Sequence, residues 1–213
     1  MKPIILFDLD GTLIDSTEAI LESFHNSFLF HKEDARDDEA IKALIGHPLD
    51  VMYKELGIEE KHVWDFVATY KEHYQKISKI KTELLPFAKQ TLEEAAEFAR
   101  LGVVTTKTGK YSQELLEHFE VMVHFETLIG REHVDQPKPH AEPVLKALKA
   151  MNATDEKVWM IGDTHMDILA AKNAGIEHFA VTSGYETLEQ LQTHTNKIVK
   201  NALEAVKLIS KSV

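Results

Sequence analysis

No cysteine occurs among the 213 residues. Its absence excludes disulfides, thiolate zinc sites, iron–sulfur clusters and cysteine nucleophiles. Positive charge is also scarce: 24 lysines and arginines stand against 35 aspartates and glutamates, a formal charge of −11. Binding to a phosphate backbone needs a basic face, so no nucleic-acid partner is expected. Long apolar runs are missing too. The first, Ile4–Phe7, is cut off by Asp8 and is too short for the apolar part of a signal peptide. None approaches the roughly 20 residues of a membrane-spanning helix. The expectation is a cytoplasmic protein without membrane contact, a monomer or weak homodimer. The remaining composition, 44% hydrophobic and 28% charged, is that of a globular protein, and the length suits one domain with a modest insertion.

Ile4–Phe7 reads as a buried strand. Asp15 and Glu18 form a capping pattern that predicts a helix from Ser16, with Ile20, Phe24 and Phe28 on one face. To about Ile80 the text is helical, with breaks at Asp34–Asp38, at Gly46-His47-Pro48 and at Gly57. Phe24, Phe28, Trp64, Phe66 and Tyr70 are the expected core of this three- or four-helix module. After Pro86 a helix is predicted over Thr91–Arg100, with Gly102 as its C-cap. Strands are then predicted at Val103–Thr106, Thr127–Ile129, Val158–Ile161, His178–Thr182 and Ile198–Val199. They alternate with helices at Ser112–Phe119, Glu142–Met151, Met166–Ala174 and Thr187–Thr193. Such alternation indicates a parallel sheet covered on both faces. The predicted fold is therefore α/β: a Rossmann-like doubly wound sheet from residues 1–15 and 83–213. A small all-helical cap, residues 16–82, is inserted after the first strand.

The first strand runs straight into Asp8 and Asp10, in I-I-L-F-D-L-D-G-T-L-I-D-S. Two like charges in a buried strand end are costly unless a cation or proton compensates them. Three further polar places follow core strands: Thr105/Thr106, Lys138 in Q-P-K-P, and Asp163/Asp167 in G-D-T-H-M-D. In a doubly wound sheet they converge on one crevice. Asp8, Asp10 and Asp163 make an oxygen-rich, sulfur-free set suited to Mg²⁺. Lys138 adds positive charge, Thr105 a hydroxyl donor, and Gly11 and Thr12 backbone N–H groups for a phosphate. One aspartate can then act as nucleophile and the other as acid–base. Each piece alone has a plainer reading as a turn, a helix cap or a surface lysine; the argument rests on all four in order. Twelve histidines are scattered with no H-x-x-x-H pair; His165 lies inside the last of these places.

D-L-D-G-T, T-T-K, P-K-P and G-D-T-H-M-D, in this order, resemble the four motifs of the haloacid dehalogenase-like superfamily. The F-D-L-D-G-T-L-I-D-S opening and K-P-x-x-E-P segment resemble its phosphoglycolate phosphatase-like branch. The resemblance implies a Mg²⁺-dependent phosphatase acting on a small phosphorylated metabolite, with 2-phosphoglycolate as best guess. Asp8 would be nucleophile and metal ligand. Asp10 would give its carbonyl to the metal and its side chain to proton transfer. Thr105 would bind the phosphoryl group, with Thr106, Lys107, Gly11, Thr12 and His47 as further substrate contacts. Lys138 would neutralise Asp8 and the phosphate, and Asp163 and Asp167 would complete the metal site. Inorganic pyrophosphatase, β-phosphoglucomutase-like isomerase and a phosphate-binding protein that retains the fold stand as alternatives.

Overall fold

The computed structural model describes residues 2–213. Strand β1 (Ile4–Phe7) is fully buried. Two short strands, β2 (Ile14–Asp15) and β3 (Glu83–Leu84), pair with each other. The chain forms two compact units: Asp15–Glu83, and the segment ending at Ile14 together with Leu84–Val213.

The Asp15–Glu83 unit is helical: α1 (Thr17–Phe30), α2 (Asp38–Lys42), α3 (Leu49–Glu55) and α4 (Val63–Ile77). Helix α1 starts one residue later than expected. Ser16 takes the cap position, while the Asp15 carboxylate accepts the Thr17 N–H at 2.9 Å. The core is aromatic: Phe24 lies 4.7 Å from Tyr53 and 5.0 Å from Tyr70, and Phe28 lies 5.6 Å from Phe66, between ring centroids. Trp64 departs from expectation, being 63% exposed. The buried residues of α4 are Val63, Phe66, Val67, Tyr70 and Tyr74, at helical spacing on one stripe. One residue step turns a side chain by about 100°, which carries Trp64 off that stripe.

The second unit continues with α5 (Ala88–Phe98), β4 (Arg100–Val104), α6 (Gly109–His118), β5 (Phe125–Ile129) and α7 (Glu142–Ala150). It ends with β6 (Val158–Gly162), α8 (His165–Asn173), β7 (Glu177–Val181), α9 (Leu188–Gln192), β8 (Ile198–Val199) and α10 (Ala202–Ser210). Six strands form one parallel sheet in the order β5-β4-β1-β6-β7-β8. Strand side chains alternate between faces. Ile5 and Phe7 therefore join Leu92, Val206 and Ile209 on one side, and Ile4 and Leu6 join Val144, Ala147 and Ala170 on the other.

Two expectations need correction here. Gly102 is not a helix cap; it lies inside β4 opposite Leu6. A Cβ there would come within 2.9 Å of Leu6 Cδ2 and 3.0 Å of Thr127 Cγ2, so close side-chain packing is what calls for glycine. Helix α5 ends earlier, at Phe98. Helix α10 was not anticipated, although Asn201 caps it by accepting the Glu204 N–H at 3.0 Å and Ala205, Val206 and Ile209 are buried. Among the described residues, no helix is long and apolar enough to cross a membrane.

Candidate active site

The register aligns Phe7 of β1 with Val103 of β4 and with Ile161 of β6. Because the three strands are parallel, their carboxyl ends release Asp8, Thr105 and Asp163 at one edge, where ligand crevices of such sheets lie. The Asp8 N–H still bonds Ile161 O at 2.8 Å, and the Thr105 N–H bonds Ile129 O at 2.9 Å. Both residues are thus pinned by backbone at the strand ends, with their side chains buried.

Lys138 enters from the loop between β5 and α7 and is 3% exposed. Its ammonium donates to Val104 O at 3.1 Å and to Asp167 Oδ1 at 2.5 Å, and lies 2.8 Å from Asp8 Oδ1. That last contact joins opposite charges without hydrogen-bond alignment, so Asp8 Oδ1 is buried with no aligned donor. The other oxygen of Asp167 accepts the Thr164 N–H at 3.0 Å and its hydroxyl at 2.8 Å. Asp167 therefore caps α8 and steers Lys138 with the same carboxylate.

After Asp8 the chain turns sharply. Gly11 has φ +77°, and a Cβ there would fall 2.3 Å from Asp163 Oδ2; glycine is required on both counts. The Gly11 N–H donates to Ile14 O at 2.8 Å and the Thr12 N–H to Leu9 O at 3.3 Å. These two donors, expected to face a phosphate, close the turn instead. The Thr12 hydroxyl donates to Asp163 Oδ1 at 3.2 Å, and the Tyr185 N–H donates to Asp163 Oδ2 at 2.9 Å. Asp10 is gripped by Lys107, whose Nζ is 3.1 Å from each carboxylate oxygen. Thr106 is half-buried beside Thr105, whose hydroxyl accepts the Lys107 N–H at 3.2 Å. His165 opens α8 and is paired with Glu186 through its Nδ1. His47 belongs to the helical unit, in the turn between α2 and α3.

Oxygen atoms of Asp8, Asp163 and Asp167 come within 4.8 Å of one another. Of these three carboxylates Lys138 touches two, Asp8 and Asp167. Burial pushes the Asp8 carboxyl up from 3.8 to about 7; Lys138 opposes this, and Asp167 and Asp10 reinforce it. Asp163 is also raised well above its usual value, by burial and then by Asp8 and Asp167. Burial works against the Lys138 charge, but Asp167 and Asp8 outweigh it and raise its pKa. A hard divalent cation fits this set: the donors are all oxygen, the charge is in excess, and buried Asp8 Oδ1 has only the poorly aligned Lys138 ammonium beside it.

Sequence reasoning missed Thr164, Ser183, Tyr185 and Glu186. Thr164 and Asp167 form a T-x-x-D capping pattern that was open to reading. Tyr185 acts through its backbone N–H, for which a side-chain pattern carries no signal.

The profile of the haloacid dehalogenase-like hydrolases matches residues 5–181. Pyrophosphatase PpaX of Anoxybacillus flavithermus is 34% identical over 194 residues, covering 89% of this chain and 88% of that protein. A haloacid dehalogenase-like family hydrolase from Streptococcus pneumoniae is 27% identical, with a TM-score of 0.87 over 98% of each chain. A predicted phosphoglycolate phosphatase from Haemophilus somnus has a TM-score of 0.88 over 98% of each chain, at 24% identity, a likeness of fold alone. The chain belongs to the haloacid dehalogenase-like hydrolases.

Proposed function

From that membership we propose that the protein is a Mg²⁺-dependent phosphatase of small phosphorylated metabolites, working through a phosphoryl group held on Asp8. The observation that carries this reading is Asp8 Oδ1, buried, without an aligned donor, 2.8 Å from Lys138 and inside a three-carboxylate cluster. Asp8 attacks phosphorus; as the bond to the leaving oxygen breaks, Asp10 delivers a proton to that oxygen. Asp10 then takes a proton from water, which attacks the same phosphorus and frees Asp8. Lys107, bridging both oxygens of Asp10, holds this carboxyl in place. Lys138 compensates Asp8 and the phosphoryl oxygens, and the Thr105 hydroxyl donates to one of them. Mg²⁺, held by Asp8, Asp163 and the Asp10 carbonyl, would supply positive charge to the transferring group. Asp167, with both oxygens engaged by Lys138 and Thr164, would reach the metal only through water.

2-Phosphoglycolate is the first substrate offered, from the likeness of the opening motif. Pyrophosphate is the second, favoured by the relative of 34% identity named a pyrophosphatase. The test is phosphate release from both, and from sugar phosphates and nucleoside monophosphates, with and without Mg²⁺. Mg²⁺-dependent turnover that disappears in Asp8→Asn is the expected result, and the preferred substrate decides between the two readings. Turnover that survives in Asp8→Asn would sink the mechanism.

A further inference from the structure

The turn after β7, Thr182–Glu186, lies outside the four motifs, yet it reaches three parts of the site. The Ser183 hydroxyl donates to Gly11 O at 2.9 Å. The Tyr185 N–H holds Asp163 Oδ2 at 2.9 Å. Glu186 accepts the His165 N–H at 2.8 Å through one oxygen and pairs with His165 Nδ1 through the other. Between these residues Gly184 passes so close that a Cβ on it would be 2.0 Å from Asp163 Oδ2. Gly11 approaches the same oxygen from the opposite loop, at 2.3 Å for its own hypothetical Cβ. The Asp163 carboxylate is thus enclosed by two glycines, with the Thr12 hydroxyl on one oxygen and the Tyr185 amide on the other.

Resting on the phosphatase reading above, we propose that Ser183 and Glu186 are positioning residues for the metal-holding carboxylates. Ser183 ties the Gly11 carbonyl, and with it the Asp8–Thr12 turn, to the turn that carries the Tyr185 contact. Glu186 fixes the first residue of α8, and so the direction in which Asp163 and Asp167 leave β6. A carboxylate at a helix amino end is stabilised by the exposed N–H groups there, so this tie is firm without touching the metal. The effect expected of such outer partners is on metal affinity, which commonly falls ten- to a hundredfold when they are lost.

The experiment is Mg²⁺ titration by calorimetry on wild type, Ser183→Ala, Ser183→Thr, Glu186→Ala and Glu186→Gln. Thermal melts are run in parallel, and phosphatase assays over a range of Mg²⁺ concentrations. Ser183 lines an open pocket of about 150 Å³ together with Thr12 and Thr91. We expect Mg²⁺ dissociation constants raised about tenfold or more in both alanine variants. Ser183→Thr should restore affinity, Glu186→Gln should restore part of it, and kcat at saturating Mg²⁺ should stay within about twofold. Unchanged Mg²⁺ affinity in the alanine variants overturns the proposal, whether or not their melting temperatures fall. Loss of kcat at saturating Mg²⁺ with affinity intact overturns it as well. Failure of wild type to bind Mg²⁺ differently from Asp163→Asn would overturn the phosphatase reading itself, and this inference with it.

Discussion

Burial costs Asp8 its hydration, Lys138 returns part of that at 2.8 Å, and the balance raises the carboxyl to about 7. A group whose folded pKa lies above its unfolded value contributes stability that is fully present below the unfolded value, here 3.8, and lost as pH rises through the folded one. The metal-free protein should therefore lose stability from this residue between about pH 4 and pH 7. Asp8→Asn removes the ionisation. Without Mg²⁺ at pH 8 the variant should be more stable than wild type by on the order of 1–3 kcal/mol. That is a melting temperature several degrees higher, with the gap closing towards pH 4. Melts in a chelator at the two pH values decide it; an equal gap at both would show that ionised Asp8 is not a burden on the fold. Lys138 and Asp167 also show what is legible at this scale. Their residue types were readable as site chemistry, but the sharing of one ammonium by two carboxylates was not. Positions 8, 138 and 167 are remote in sequence and meet only through the sheet.

Helix α4 illustrates the scale of the element. Trp64 and Phe66 are both expected in the helical core, and only Phe66 is buried. The spacing of Val63, Phe66, Val67, Tyr70 and Tyr74 selects one stripe, and Trp64 falls beside it. Trp64→Ala should change stability by no more than about 0.5 kcal/mol, whereas Phe66→Ala should cost about 3–5 kcal/mol. Urea unfolding of the two variants measures the contrast, and comparable losses would contradict the packing described. Gly102 makes the same point for strands. Glycine after a helical run suggests a cap, but the tight approach of Leu6 from the neighbouring strand is a contact the local text does not contain. Gly57 after α3 and Gly175 after α8, with φ +90° and +73°, are glycines that do end helices.

For the whole molecule, helix α10 has the largest consequence. It packs Ala205, Val206 and Ile209 onto the sheet face formed by Ile5, Phe7, Trp159 and Ile161. Removing residues 202–213 would strip that face, and the chain should lose its cooperative melt and aggregate. Circular dichroism and size-exclusion chromatography of the truncated protein check this; a monomer with a wild-type melt would refute the role given to α10. The apolar repeat of A-L-E-A-V-K-L-I-S and its Asn201 cap were present to be read.

Local chemistry accounts for what the sequence determined on its own: the strand runs, the alternation with helices, the α/β class, and the oxygen-only donor set that points to a hard cation. The elements depend on residues within a few positions of one another, where periodicity is sufficient physical information, and the donor set depends on residue type and on the place of each residue after a strand. Tertiary structure decided the strand order, the need for glycine at 102, and the closing of the Gly11–Thr12 turn on itself. It also decided that Ser183, Tyr185 and Glu186 brace the carboxylates. A hydrogen bond is made by whichever donor and acceptor the packed strands bring within about 3 Å. That distance is set only when the parallel sheet has brought its carboxyl ends to one edge.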